Sequence, residues 1–173
     1  MPLSSSSGRY RAFQEFFLKY YAELCDFAQR FLKTPEETED LVQDVFLRAW
    51  ERDIDWEDMR RARLYLYRAI RNAALNHLVH QKMKQRRLEQ FQQQLTPWTP
   101  SPEQAVQASE LTEAIEQALA KLPEVRRTIF LLSRYHGLSY REIAEVMGIS
   151  IKTVETQMGR ALRFLAQQLR PFR

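Results

Sequence analysis

Apolar residues recur along the first third of the chain at helical rather than strand spacing. Phe13, Phe16, Phe17, Tyr20, Leu24, Phe27 and Phe31 share one stripe, which predicts a core-facing helix over 10–32. A second helix is announced at Thr34-Pro35-Glu36-Glu37. Threonine serves as N-cap, proline takes the first helical position, and the glutamate at the third closes a capping box. Leu41, Val45, Phe46, Ala49 and Trp50 continue its apolar side. Residues 53–59 read as an acidic, irregular connection. A third helix spans about 61–81 and runs on toward Gln90, with Leu64, Tyr67, Ile70, Ala74 and Leu78 on one side. Residues 1–8, half of them serine, read as a disordered tail.

The pattern then breaks. A glutamine-rich stretch leads into Pro97, Pro100 and Pro102, and proline at that density cannot sit inside a helix. This predicts a linker over 91–108. It divides the chain into a helical domain over 9–90 and a second one over 109–173. In the second, a helix over 109–121 carries Ile115, Ala118 and Leu119. Another opens at Leu122-Pro123-Glu124, carries Val125, Ile129, Phe130 and Leu132, and ends at Gly137. The expected class is all-α, with two small domains.

Residues 138–156 follow the spacing of a helix-turn-helix. Ser139 is an N-cap with Glu142 three residues on. Ile143, Ala144 and Met147 form an inner face, Ala144 being small where a second helix crosses. Gly148 permits a left-handed turn. Ile149 plugs the angle, and Ser150 caps a helix whose core face is Val154, Met158, Ala161, Leu162 and Leu165. That leaves Lys152, Thr153, Glu155, Thr156, Gln157 and Arg160 outward, near the start of a helix suited to a major groove.

Charge changes the picture only when resolved along the chain. The 173 residues carry 26 Lys+Arg against 22 Asp+Glu, a net +4. Between residues 34 and 58, ten acids face only Arg48 and Arg52. From Arg60 to Arg87 there are nine bases and no acid. Tyr65, Tyr67, Asn72, Asn76 and His77 lie within that basic block, and bases with aromatics and amides are the vocabulary of nucleic-acid contact. The lone Cys25 excludes an internal disulfide, three histidines argue against a structural zinc site, and no apolar run approaches a membrane span. His77 and His80 read as solvated or base-facing rather than as a metal pair. A reducing cytoplasm is the expected compartment.

Taken in order, these segments resemble the extracytoplasmic-function (ECF) group of bacterial sigma-70 factors. Leu122 through Leu165 is similar to region 4, residues 39–46 to region 2.2, and residues 64–72 to the region 2.3/2.4 helix. The resemblance implies promoter-directed transcription initiation, with no catalysis, cofactor or metal and no membrane insertion. It implies that Asp40, Gln43, Asp44 and Phe46 dock on the β′ clamp helices of core RNA polymerase. Trp56, Arg60, Arg61, Arg63, Tyr65, Arg68, Arg71, Asn72 and Asn76 would open and read the −10 element. Trp56 is equally readable as a core plug. Arg141, Ser150, Lys152, Thr153, Glu155, Thr156, Gln157, Arg160 and Arg163 would engage the −35 duplex, with the opposite surface on the β-flap. Asn76 and Val79 stand where many relatives carry Asp and Arg. An anti-sigma partner is implied as well.

Two rival classes fit parts of the pattern. A free-standing dimeric regulator shares the helix-turn-helix but leaves an acidic helix followed by a basic, aromatic one unexplained. A nuclease would use the carboxylates of 36–58, but these follow helix-start and surface positions and form no metal or nucleophile constellation.

Overall fold

The computed structural model describes residues 3–91 and 110–170, and every regular element among them is an α-helix. The chain divides into two compact units, residues 1–93 and 94–173. Of the predicted linker, all but Phe91 lies outside the described residues.

The first unit is a three-helix bundle of α1 (Leu3–Gln29), α2 (Pro35–Glu51) and α3 (Met59–Phe91), each packed on the other two. Helix α1 starts at Leu3, so it takes in the serine run read as a disordered tail. It stops at Gln29 rather than at 32. There the backbone tightens, with Arg30 N donating to Phe27 O (3.2 Å) and Phe31 N to Ala28 O (3.0 Å).

Thr34 caps α2 as expected, accepting from Glu37 N at 3.2 Å, and Pro35 stands at its start. The reciprocal half of the capping box is absent, because the Glu37 carboxylate turns to α3. There its Oε1 accepts from Gln81 Nε2 at 2.9 Å and lies 3.7 Å from His77 Nε2.

The core of this unit is aromatic. Phe16, Leu24, Phe27, Val42, Phe46, Leu66, Tyr67 and Ile70 are buried. Trp56 comes from the α2–α3 connection to close one end. It lies parallel to Phe46 (8° between planes, centroids 6.4 Å apart) and edge-on to Phe13 at 5.0 Å. Such pairs add about 0.5–1.5 kcal/mol each beyond burial. Arg9 of α1 ties this connection down from outside. Its guanidinium stacks 4.1 Å from the Trp50 ring centroid, donates to Trp50 O, and pairs with Asp53 at 3.1 Å. Asp53 itself has a left-handed backbone, φ 56°.

Helix α3 outruns its partners. After Gln81, which is half-buried, the side chains of residues 82–87 are all exposed, among them Lys82, Lys84, Arg86 and Arg87.

The second unit comprises α4 (Glu110–Ala120), α5 (Glu124–Arg134), α6 (Tyr140–Met147) and α7 (Ile151–Gln168). Helix α7 packs on the other three. Helix α5 ends at Arg134 with Tyr135 as its C-cap, short of Gly137, the expected terminator; Gly137, φ 66°, follows two residues on, and Leu138 N donates to Leu132 O at 2.9 Å across it.

The α6–α7 turn has the predicted chemistry. Ser139 and Glu142 form both halves of a capping box. Gly148 is left-handed at φ 67°, Ile149 N donates back to Ala144 O at 3.1 Å, and Ser150 caps α7 through Thr153 N at 3.0 Å. Two core positions differ from the sequence pattern. Val146 is buried and Met147 only half-buried, because α6 is covered by both α5 and α7. Leu162 is 40% exposed; the α7 core stripe is the narrower Val154, Met158, Ala161, Leu165.

Candidate nucleic-acid and partner-protein surfaces

Two of the surfaces read from the sequence lie on α2 and α3 of the first unit. Asp40, Gln43 and Asp44 are exposed on α2, at spacings that put them on one side of it. Asp44 is paired to Arg48 one turn on, at 2.9 Å. Phe46 does not share that face. It is 3% exposed and packed among Phe13, Phe16, Phe17 and Trp56, so it supports the helix from the core rather than standing on the acidic face. Beside the acidic face, Tyr10, Phe13, Phe17, Gln43, Phe46, Leu47 and Trp50 line an apolar groove of about 420 Å³.

On α3, Arg61, Arg68, Asn72 and Asn76 are exposed and Tyr65 is half-buried, one stripe opposite the buried Leu64, Tyr67, Ile70 and Ala74. Arg60 is exposed and Arg71 half-buried. Arg61 pairs with Asp58, at 3.3 Å, whose Oδ1 caps the first turn by accepting from Arg61 N at 3.0 Å.

The other two assignments on and before this helix are corrected by the structure. Trp56 is 1% exposed and packed against Phe13, Phe16 and Phe46, so it is the core plug and not a stacking platform. Arg63 turns inward to α1. Its Nε donates to Glu23 Oε1 at 2.9 Å, and Tyr67 OH donates to the same oxygen. Burial, and then the neighbouring Glu23 carboxylate, push the Tyr67 phenol well above its ordinary range.

Two residues that the sequence reading assigned to no surface join the α3 stripe. Arg48 and Arg52, near the end of α2, line a groove of about 220 Å³ together with Tyr65, Asn72 and Asn76. Arg52 Nη1 donates to Tyr65 OH at 3.4 Å. They are the two bases inside the acidic block, spaced i, i+4. Their isolation there was the available signal.

The third surface is the outer side of α6–α7. Arg141, Ser150, Lys152, Thr153, Glu155, Thr156, Arg160 and Arg163 are exposed. Several polar atoms are already engaged: Ser150 Oγ lies 2.8 Å from Thr153 Oγ1, and Thr156 Oγ1 donates to Lys152 O at 2.9 Å. Gln157 is half-buried at the α5 flank, where its Oε1 accepts from Arg126 Nε at 2.9 Å. Arg126 had no place in the sequence reading, since nothing in linear spacing brings α5 beside α7.

An aromatic three-helix unit with acidic and basic faces, followed by a helix-turn-helix unit, defines a two-part α-helical DNA-binding protein. Comparison narrows the class. Residues 16–83 match sigma-70 region 2, and residues 112–165 match sigma-70 region 4. The RNA polymerase sigma-H factor of Pseudomonas aeruginosa is 30% identical, over 95% of this chain and 89% of its own. The ECF RNA polymerase sigma factor SigW of Bacillus subtilis is 29% identical, over 92% of this chain and 89% of its own. In three dimensions the fold resembles CnrH, solved in complex with the cytosolic domain of CnrY. The TM-score is 0.65 at 27% identity, covering 96% of this chain and 93% of that one. The chain belongs to the sigma-70 family of RNA polymerase factors, in its ECF group. No described helix is long and apolar enough to cross a membrane.

Proposed function

We propose that the chain recruits core RNA polymerase to promoters and divides that work among its three surfaces. The exposed Asp40, Gln43 and Asp44 dock on a basic helical element of the polymerase, the β′ clamp helices. Arg61, Tyr65, Arg68, Asn72 and Asn76, with Arg48 and Arg52 beside them, take up the −10 strand as it opens. Arg60 and Arg71 add charge along that path. The outer side of α6–α7 reads the −35 duplex: Lys152, Arg160 and Arg163 serve as phosphate anchors, Thr153, Thr156 and Gln157 as base readers, and Arg141, Ser150 and Glu155 flank them. The other side of the helix-turn-helix unit sits on the β-flap. An anti-sigma protein holds the factor inactive, a reading supported by the likeness to CnrH, which was solved bound to the cytosolic domain of another protein, CnrY. The chain works in the cytoplasm and contributes binding energy rather than catalysis.

The observation that carries this reading is the placement of exposed arginine, tyrosine and asparagine side chains along one stripe of α3, beside the acid-bearing helix α2. Strand opening without nucleotide hydrolysis draws on such cationic and stacking contacts with an unpaired strand.

The test is reconstitution. Purified chain added to core polymerase lacking any sigma factor should yield transcripts with defined start sites from a randomised promoter library. Binding to duplex DNA as a dimer, with no polymerase-dependent transcripts, would instead identify a free-standing regulator.

A further inference from the structure

Arg126 stands in the first turn of α5, and its Nε donates to Gln157 Oε1 at 2.9 Å. The bond settles which way the amide points. A side-chain amide is two-faced, with a carbonyl that accepts and an NH₂ that donates. Arginine has no acceptor, so the group turned toward it must be the oxygen. The NH₂ is therefore the end that Gln157 has left to offer away from α5. The pair is charge-assisted and half-buried, which makes it stronger than a neutral contact on an open surface.

Gln157 sits at a place where this matters. It lies on α7 between the buried Val154 and Met158 and the exposed Thr156 and Arg160, at the edge of the outward surface. In a major groove a glutamine free to rotate can satisfy either kind of base edge. Turned one way it donates to guanine O6 or N7, adenine N7 or thymine O4. Turned the other way it accepts from cytosine N4 or adenine N6. Cytosine offers only a donor there, so a glutamine presenting its NH₂ has nothing to pair with it.

We infer that Arg126 is a specificity-determining, positioning residue. By holding Gln157 Oε1 it makes Gln157 a dedicated donor and excludes cytosine from the base it faces, without itself touching DNA. The inference rests on the reading of α7 as the −35 recognition helix.

The experiment selects promoter DNA from a library randomised through the upstream element, using the full chain bound to core polymerase, and compares variants position by position. Gln157→Ala identifies the position that Gln157 governs. Arg126→Met keeps the aliphatic stem but removes the donor. It should enrich cytosine at that position by about three- to tenfold over the parent and leave other positions unchanged. Arg126→Lys, which can still donate to Oε1, should retain the parent preference. In a Gln157→Ala background, Arg126→Met should add no further change in preference. An Arg126→Met chain that weakens all sequences equally would make Arg126 a phosphate anchor and overturn the inference. So would an Arg126→Met profile identical to the parent. If Gln157→Ala alters no position at all, the reading of α7 fails first, and the inference with it.

Discussion

Glu23 on α1 and Arg63 on α3 form a mostly buried ion pair, their side chains 29% and 22% exposed, in which Tyr67 shares the acceptor oxygen. One of the nine bases in the acid-free run thus belongs to the bundle and not to a ligand surface. Glu23→Ala removes the acceptor oxygen that Arg63 and Tyr67 share. It should destabilise the chain by about 1–3 kcal/mol, less than a fully enclosed pair would lose because water reaches both groups. Chemical denaturation measures this, and a loss under about 0.5 kcal/mol would make the pair ornamental.

Arg68 is the contrasting case, exposed on the α3 stripe. Arg68→Glu should reduce open-complex formation by at least about tenfold, as a reversed charge against a phosphate does. Affinity for core polymerase should stay within about twofold, since surface charge changes far from a contact have little effect. Permanganate footprinting and a polymerase-binding titration read the two separately. Equal losses in both would contradict the assignment of α2 and α3 to different partners.

Lys152 lies in the first turn of α7 and is exposed. As a phosphate anchor it should act without regard to sequence. Lys152→Ala should weaken all duplexes alike and lower the slope of log affinity against log salt by about one. A change confined to particular bases would move it among the readers.

Two glycines of the helix-turn-helix unit should respond to alanine with opposite signs. A Cβ would meet nothing within 4 Å at either Gly148 or Gly159, so sterics are neutral. Gly148 has φ 67°, where an L side chain is strained, and Gly148→Ala should cost about 1–2 kcal/mol. Gly159 lies inside α7, and Gly159→Ala should stabilise by about 0.5–1 kcal/mol. Thermal unfolding of the two variants checks both; a stabilised Gly148→Ala would mean that the turn is not what its backbone angle implies.

Much of this architecture was legible from local chemistry. Caps at Thr34, Ser139 and Ser150 and the turn at Gly148 depend on residues close in sequence, and the structure has them, though at Thr34 without the Glu37 half of the capping box. The α3 stripe was legible for the same reason, because one helix sets its own periodicity. What escaped depends on partners far apart in sequence. Arg63 looks like its neighbours until Glu23, 40 residues earlier, is placed against it. Arg126 and Gln157 are 31 apart. Phe46 was misassigned, and Trp56 left open between core and surface, because an aromatic in a loop or on an interaction helix serves both equally well on paper. Only packing against Phe13 and Phe16 decides between them.

Helix α3 has a mechanical meaning that its charges alone do not convey. At 33 residues it is a rod of about 50 Å, clamped by α1 and α2 along its first two-thirds and projecting beyond Gln81. A rod held at one end is a lever. A load on the basic tip at Lys82–Arg87 is carried as torque into the clamped end, where Tyr65, Arg68 and Asn72 lie on the same shaft.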